Sequence, residues 1–137
     1  MINISLPFPP AANRYWRKNP HGGMFVSKEA RVYRDGIATI FDDHIDQGIV
    51  YPVEPVALII VAYCPSTNRD LDSLTKVLFD ALQGHLYEDD VQVHRYLVTR
   101  HEAEKPKREN ARIVLYAARM EQWDSLYKGS DLCPTRA

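Results

Sequence analysis

The chain reads RDLDSLTKVLFDALQGHLYEDDVQV from Arg69 to Val93. Apolar residues recur at helical spacing from Leu71 to about Gln83, and Gly84 is the residue type that most often ends a helix. This pattern predicts an amphipathic helix. Asp70 and Asp72 lie at its start, and a second acidic cluster follows its end. The helix therefore marks both the centre of the predicted fold and the position of a candidate site.

The segments around this helix predict four strands and one further helix. Strands are expected at Ile2–Leu6, Val56–Tyr63, Val91–Arg100 and Ala111–Ala118, and a helix at residues 28–46 with Ser27 as its N-cap. The run VALIIVAY is apolar throughout, which is typical of a strand buried on both faces. The last two strands follow each other across a charged turn, so we expect them to pair as a hairpin. Residues 7–26 are expected to form a long loop.

The order of these elements is roughly β-α-β-α-β-β. It predicts a single compact α+β domain, in which a mixed β-sheet carries helices packed on one face. This domain is expected to span residues 1–120, and residues 121–137 are expected to form a C-terminal tail with one short helix near Gln122–Tyr127. A chain of 137 residues is long enough for one hydrophobic core but not for two domains.

The composition is ordinary for a soluble globular protein, with 45% hydrophobic and 26% charged residues. No run of about 18 apolar residues occurs, so no membrane span is expected, and the N-terminus does not resemble a secretory signal. We therefore expect a cytoplasmic protein with Cys64 and Cys133 as free thiols. The formal net charge is −1, but residues 1–36 carry six Lys/Arg against two Asp/Glu. This basic N-terminal third is suited to binding phosphate.

Acidic side chains flank the predicted helix at both ends. Asp70 and Asp72 lie at its start, and Lys76 lies one turn beyond Asp72 on the same face. Glu88–Asp90 follow its end. Mg²⁺ prefers carboxylate oxygens, a bound divalent cation neutralises charge on a phosphate, and a nearby lysine stabilises the developing oxyanion. The acids therefore predict a Mg²⁺-dependent phosphodiester hydrolase, with Mn²⁺ as a substitute metal, if the second cluster folds back towards Asp70.

A structural interpretation of the same residues stays open at this point. Asp70 could be a simple N-cap, Asp72 and Lys76 could form a surface ion pair, and Glu88–Asp90 could be a solvated turn. The order of strands in the sheet decides whether the two acidic clusters meet.

The predicted loop over residues 7–26 is rich in side chains that suit nucleic acid. Cations alternate with aromatic and amide side chains at Asn13, Arg14, Tyr15, Trp16, Arg17 and Lys18. Such residues contact phosphates and stack on unpaired bases. Arg34 on the first helix and Arg69 before the acidic pair extend this predicted DNA-binding set. The alternative for Tyr15 and Trp16 is a role as anchors in the core.

Four segments occur in order within residues 2–118, namely LPFPPAANRYWR, VSKEARVYRD, RDLDSLTKVLFDAL and LYEDDVQV. Together they resemble the RusA family of Holliday junction resolvases. By this resemblance, Asp70, Asp72 and Asp90 are metal-binding catalytic acids, and Lys76 is the catalytic lysine.

The resemblance implies a homodimeric endonuclease that binds four-way DNA junctions and resolves them by paired, symmetric nicks during recombination and repair. Each subunit of such a dimer supplies one active site, as paired nicking requires. Ser73 departs from the family pattern, in which Asn is expected at this position. Two alternatives stay open. One is a catalytically weak or inactive DNA-binding module of the same fold, and the other is a metal-dependent nuclease with less selectivity for DNA structure.

Overall fold

A four-stranded mixed sheet forms the centre of the computed structural model, which describes residues 1–45, 48–65, 70–102 and 110–134. In chain order the described elements are β1 (Ile2–Pro7), α1 (Ala12–Tyr15), β2 (Trp16–Lys18), β3 (Met24–Val26), α2 (Lys28–His44), β4 (Val56–Cys64), α3 (Leu71–Leu82), a 3₁₀ turn (Asp90–Gln92), β5 (Val93–Glu102), β6 (Arg112–Arg119), a second 3₁₀ turn (Met120–Gln122) and α4 (Trp123–Gly129). The predicted α+β fold with a mixed sheet is confirmed.

The strand order β1-β6-β4-β5 shows that the predicted hairpin of the last two strands is wrong. β4 pairs in parallel with β5 on one side and antiparallel with β6 on the other, so β5 and β6 are not neighbours. β6 also pairs antiparallel with β1. Burial gives the physical reason. The apolar strands β4 and β6 take the two central places, whereas β5 exposes most of its side chains and takes an edge.

Two apolar clusters lie on opposite faces of the sheet. The larger one contains alternate residues of β4, among them Leu58 and Ile60, packed against the buried sides of α2 and α3. The smaller one contains the intervening residues, among them Ile59, packed against Leu126 of α4. The two long helices therefore share one face, as predicted. The expected short helix near residues 122–127 is confirmed as α4, and it adds a layer on the other face.

The two long helices begin and end close to the predicted residues. Ser27 caps α2, and its hydroxyl oxygen accepts a backbone N–H of the first turn at 3.1 Å. α2 ends at His44, and residue 46 of the predicted helix lies outside the described residues. α3 ends at Leu82, one residue earlier than predicted. Gly84 follows with a φ of +85°, a conformation that glycine adopts without steric cost.

The prediction of a long loop over residues 7–26 is wrong, because this segment contains regular structure. α1 is a single helical turn, and β2 and β3 form an antiparallel hairpin with Trp16 opposite Val26. Gly22 and Gly23, with φ angles of +95° and +81°, allow the chain to reverse between the two strands. Strands of three residues are too short to produce a recognisable alternation in the sequence.

The other strand boundaries differ from the prediction by one or two residues. β4 extends to Cys64, and β5 begins at Val93 because the residues before it form a 3₁₀ turn. Cys64 and Cys133 are buried and are not joined in a disulfide, as predicted. In the described part of the chain, no helix combines the length and the apolar character that crossing a bilayer requires.

Candidate active site

The start of α3 presents two of the predicted acids to solvent. Asp70 is the N-cap residue in extended backbone, and its Oδ1 accepts the backbone N–H of Asp72 at 3.0 Å. Both residues are exposed. The capping bond uses one carboxylate oxygen of Asp70, so capping by this residue is compatible with metal binding through its other oxygen.

A concavity of about 190 Å³ joins the start of α3 to the segment around α1. Its polar lining consists of Asn13, Asp70 and Ser73, and the remaining lining residues are apolar or proline. The structure thus places one predicted DNA-binding residue and the first predicted catalytic acid on the same concave surface. Ser73, the departure from the family pattern, lies on this surface as well.

Lys76 lies one turn along α3 from Asp72, and its ammonium group is 5.2 Å from the centre of the Trp16 ring. This cation–π contact positions the ammonium group but does not neutralise its charge. Among the residues that the structure describes, Lys76 forms no ion pair, so the surface pair with Asp72 considered above is absent. The charge of Lys76 is therefore available to a phosphate group.

Asp80 lies one turn beyond Lys76 and connects α3 to two other elements. Its carboxylate accepts a hydrogen bond from the Tyr15 hydroxyl and lies 3.6 Å from the Arg34 guanidinium. Tyr15 is fully buried. Burial, followed by the hydrogen bond to Asp80 and its charge, raises the pKa of the Tyr15 hydroxyl, which therefore remains protonated at physiological pH.

The acidic turn after α3 is held in place by Gln92. Its side-chain carbonyl oxygen accepts the backbone N–H groups of Glu88 at 2.9 Å and Asp89 at 3.1 Å. Its side-chain nitrogen donates to the backbone carbonyl oxygens of Tyr51 at 2.8 Å and Glu54 at 3.0 Å. Gln92 therefore fixes the acidic turn against the segment that precedes β4.

Asp89 and Asp90 have different surroundings within this turn. Asp89 accepts the backbone N–H of Val91 at 3.1 Å and so caps the 3₁₀ turn. Asp90 lies at the surface, where partial loss of hydration, a hydrogen bond with Asp89 and the charges of Asp89 and Asp80 raise its pKa. The Tyr87 hydroxyl donates to the backbone carbonyl oxygen of Phe79 at 2.7 Å, so the chain just before the acidic turn is held against α3.

The predicted metal ligands suit a divalent cation in their chemistry. Asp70, Asp72 and Asp90 offer carboxylate oxygens alone, which Mg²⁺ and Mn²⁺ prefer. In the described ranges of the chain, however, no three Asp, Glu, His or Cys side chains are grouped closely enough to hold one ion. The acids thus lie on neighbouring elements without forming a complete ligand set, and their assignment as ligands stays a prediction.

The predicted DNA-binding residues fall into different environments. The exposed ones are Asn13, Arg14, Arg17 and Lys18. The expectation that Tyr15 stacks on bases is wrong, because its ring is fully buried in the core and its hydroxyl is bound to Asp80. Arg34 has a side chain that is 41% exposed and is paired with Asp80. Arg69 lies outside the described residues.

Asp80 and Gln92 contribute to this geometry although neither belongs to the predicted site. The sequence contains a signal for Asp80, since it continues the four-residue spacing of Asp72 and Lys76 along one helix face. Gln92 has no local signal, because the carbonyl groups that it binds lie 41 and 38 positions earlier in the chain.

The candidate residues lie in a part of the chain that is similar to known proteins. The family model described as Endodeoxyribonuclease RusA matches residues 7–115. The chain is 41% identical over 101 residues to the crossover junction endodeoxyribonuclease RusA of Escherichia coli strain K12. The aligned region covers 72% of this chain and 81% of that relative. The corresponding proteins of Enterobacteria phage 82 and Shigella sonnei are 40% and 39% identical over the same length, with the same coverage. Every candidate residue from Asn13 to Asp90 lies within the region matched by the family model.

Proposed function

The chain belongs to the RusA endodeoxyribonuclease family, and on that premise we propose that it resolves four-way DNA junctions by nicking opposing strands. The relatives named above are crossover junction endodeoxyribonucleases. The observation that carries the proposal is the polar face of α3. Asp70, Asp72 and Lys76 lie on or at the start of this one helix, and a hydrogen bond from Tyr87 to Phe79 holds the chain before the acidic turn against the same helix.

We assign a separate role to each group at the site. Asp70, Asp72 and Asp90 would hold a divalent cation, which we propose to be Mg²⁺, with Mn²⁺ as a substitute. When bound, this ion supplies charge neutralisation at the phosphate and lowers the pKa of a water molecule. Lys76 donates a hydrogen bond to a phosphate oxygen as negative charge develops on it. Asp80 is a positioning residue. It accepts a hydrogen bond from Tyr15, and the ring of the next residue, Trp16, contacts Lys76.

We propose that the active form is a homodimer of this chain. Resolution of a junction requires a nick in each of two opposing strands, and one chain offers one set of these residues. A symmetric homodimer supplies two equivalent sites. Because the proposed substrate is DNA in recombination and repair, we place the activity in the cytoplasm.

Cleavage of a synthetic four-way junction in Mg²⁺ tests this function. We expect paired nicks in opposing strands of the junction and no cleavage of a linear duplex of the same sequence. Asp70→Asn should abolish cleavage but keep junction binding, because asparagine retains an oxygen that can cap α3 while it removes the charge that a metal ion needs. Asp124→Asn is the matched control, since Asp124 is exposed on α4 at the other face of the sheet, and it should cleave normally.

Each alternative has its own outcome in this experiment. Junction binding by the wild-type chain without cleavage in either Mg²⁺ or Mn²⁺ would indicate a DNA-binding module. Equal cleavage of junction, duplex and single strands would indicate a nuclease with little selectivity for structure. Loss of junction binding in Asp70→Asn would indicate that Asp70 is structural.

A further inference from the structure

The hairpin formed by β2 and β3 exposes large apolar side chains beside cations. Met24 is 69% exposed and Phe25 is 49% exposed, although both are large apolar residues. Arg17 and Lys18 lie opposite them on the neighbouring strand and are exposed as well. Exposed apolar residues grouped with cations in a single short element indicate a binding surface.

The register of the hairpin assigns these residues to two faces. Residues directly opposite each other in an antiparallel pair share a face, so Arg17 and Phe25 lie on one face. The alternate residues lie on the other face, where Trp16 and Val26 pack against the core. The face that carries Arg17 and Phe25 is therefore turned away from the core.

The base of the hairpin is fixed to the two long helices. The backbone N–H of Ser27 donates to the carbonyl oxygen of Tyr15 at 2.9 Å, so the two ends of the hairpin are joined. The Ser27 hydroxyl also donates to the carbonyl oxygen of Arg14, and buried Tyr15 is bound to Asp80 of α3. Trp16, the first residue of the hairpin, contacts Lys76. The hairpin is thus an anchored arm that begins beside the proposed catalytic lysine.

Charge indicates the class of partner that fits this arm. Residues 1–28 contain four Lys/Arg and no Asp/Glu. A surface with this charge suits a polyanion, and an exposed aromatic ring beside a guanidinium group suits a partner with flat, unsaturated faces next to phosphates. Nucleic acid with unstacked bases has both properties. In the proposed substrate, base stacking is most easily disturbed where the four arms meet.

We propose that this hairpin recognises the branch point of the junction. Phe25 stacks on a base at the point where the arms exchange strands, while Arg17, on the same face of the hairpin, binds a flanking phosphate. This inference rests on the proposed junction-resolving function and assigns its structural selectivity to one element. Linear duplex offers the same phosphates but no unstacked base, so the apolar contacts raise affinity for the junction alone.

Fluorescence of 2-aminopurine in synthetic junctions tests this role, with EDTA present to prevent cleavage. One junction carries the probe at the branch point, and a second carries it in the middle of an arm. We expect wild-type protein to change the signal of the first junction only. Phe25→Ala should remove this change and lower affinity for the junction about tenfold, with duplex affinity unaffected. Phe25→Trp should restore both properties, because tryptophan also stacks on bases.

Two further variants separate stacking from charge and from general surface effects. Arg17→Ala should weaken junction and duplex binding alike and lower the slope of log affinity against log salt by about 1, because it removes one phosphate contact. Val53→Ala is the matched apolar control, since Val53 is 81% exposed outside the hairpin, and it should bind as the wild type does.

Two results would overturn the role of the hairpin while leaving the proposed function intact. In the first, the wild-type protein cleaves junctions but produces no branch-point signal. In the second, Phe25→Ala keeps the wild-type signal and the wild-type preference for junctions. Failure of the folded wild-type protein to bind junctions at all would overturn the proposed function together with this inference.

Discussion

Asp80 and Tyr15 are 65 positions apart in the chain, yet their hydrogen bond joins α3 to the base of the hairpin. Arg34 adds an ion pair from α2 to the same carboxylate. The hydrogen bond has a buried donor and the ion pair lies at the surface, so the two contacts differ in their effect on stability. Removing the acceptor of a buried hydroxyl group lowers the free energy of unfolding more than removing a solvated ion pair does.

Two substitutions at Asp80 should separate these contacts. Asp80→Ala removes the acceptor for the buried Tyr15 hydroxyl and should lower the free energy of unfolding by about 1–3 kcal/mol. Asp80→Asn keeps an acceptor oxygen and loses the charge, so it should cost less than about 1 kcal/mol. Urea denaturation of both variants measures the difference. Equal losses in the two variants would contradict the importance of the Tyr15 hydrogen bond.

Asp90 should reduce the stability of the metal-free protein at neutral pH. Its pKa is raised by partial loss of hydration and by Asp89 and Asp80, so the folded state binds its proton more tightly than the unfolded state does. Its contribution to stability is therefore most favourable below the unfolded-state pKa and is lost as pH rises through the folded-state pKa. Asp90→Asn should raise Tm slightly at neutral pH, by the equivalent of less than about 1 kcal/mol, because solvent screens this surface group.

Calorimetry in EDTA at neutral pH and near pH 4 checks this prediction. The gain in Tm should shrink at the lower pH, where Asp90 takes up a proton in wild-type protein. The matched substitution Asp124→Asn should show no such gain. A gain of the same size at both pH values would contradict an electrostatic origin.

Local geometry explains which residues of the site could be predicted from the sequence. The positions of Asp70 before α3 and of Lys76 on its polar face follow from helix periodicity and capping alone. The burial of Tyr15 could not be predicted, because it depends on an acceptor in a helix far along the chain. The same sequence pattern of cations and aromatic residues fits both a DNA-facing loop and a core anchor.

At the scale of elements, the acidic turn depends on one buried side chain. Gln92 is 8% exposed and makes hydrogen bonds in both directions, to the turn and to the segment before β4. The positions of α3 and β5 alone do not determine where the turn between them lies. Gln92 supplies that constraint, because it bonds the turn that carries Asp90 to the segment before β4.

Gln92→Ala should therefore reduce both stability and cleavage. It removes the donor to the carbonyl oxygens of Tyr51 and Glu54 and the acceptor for two N–H groups of the turn, and because one of these bonds is buried and three are partly buried we expect a cost of about 2–3 kcal/mol. Gln92→Glu keeps an acceptor oxygen but sets a buried carboxylate against the two carbonyl oxygens, so it should restore no stability at neutral pH. Cleavage of the junction should fall further than junction binding does, because the binding residues of the hairpin lie elsewhere. A variant with normal cleavage at a temperature where it is folded would contradict this role of Gln92.

At the scale of the whole molecule, the order of strands was the part of the fold that the sequence could not supply. Helices, strands and their approximate ends follow from local periodicity. Pairing between β1, β4 and β6 joins segments far apart in the chain, and it is decided by which strands are most completely buried. Strands that follow each other in a sequence often form a hairpin, but here β4 lies between β5 and β6.

The proposed dimer predicts the behaviour of mixed assemblies. Wild-type chains co-expressed with Asp70→Asn chains should form dimers that contain one intact site. On a supercoiled plasmid with an extruded cruciform, wild-type dimers should give linear product through paired nicks, whereas mixed dimers should give open circles with one nick. Linear product from purified mixed dimers would show that one subunit can make both cuts. Sedimentation of the active protein at the mass of one chain would contradict the proposed dimer.

The place of β6 between β1 and β4 has a consequence for synthesis of the protein. β1 is translated well before its pairing partner, residues 112–117, leaves the ribosome. Until then β4 lacks its antiparallel neighbour, and apolar edges of both strands stay uncovered. Nascent chains should therefore remain open to proteases and chaperones until β6 emerges, and folding should then be completed in one late step.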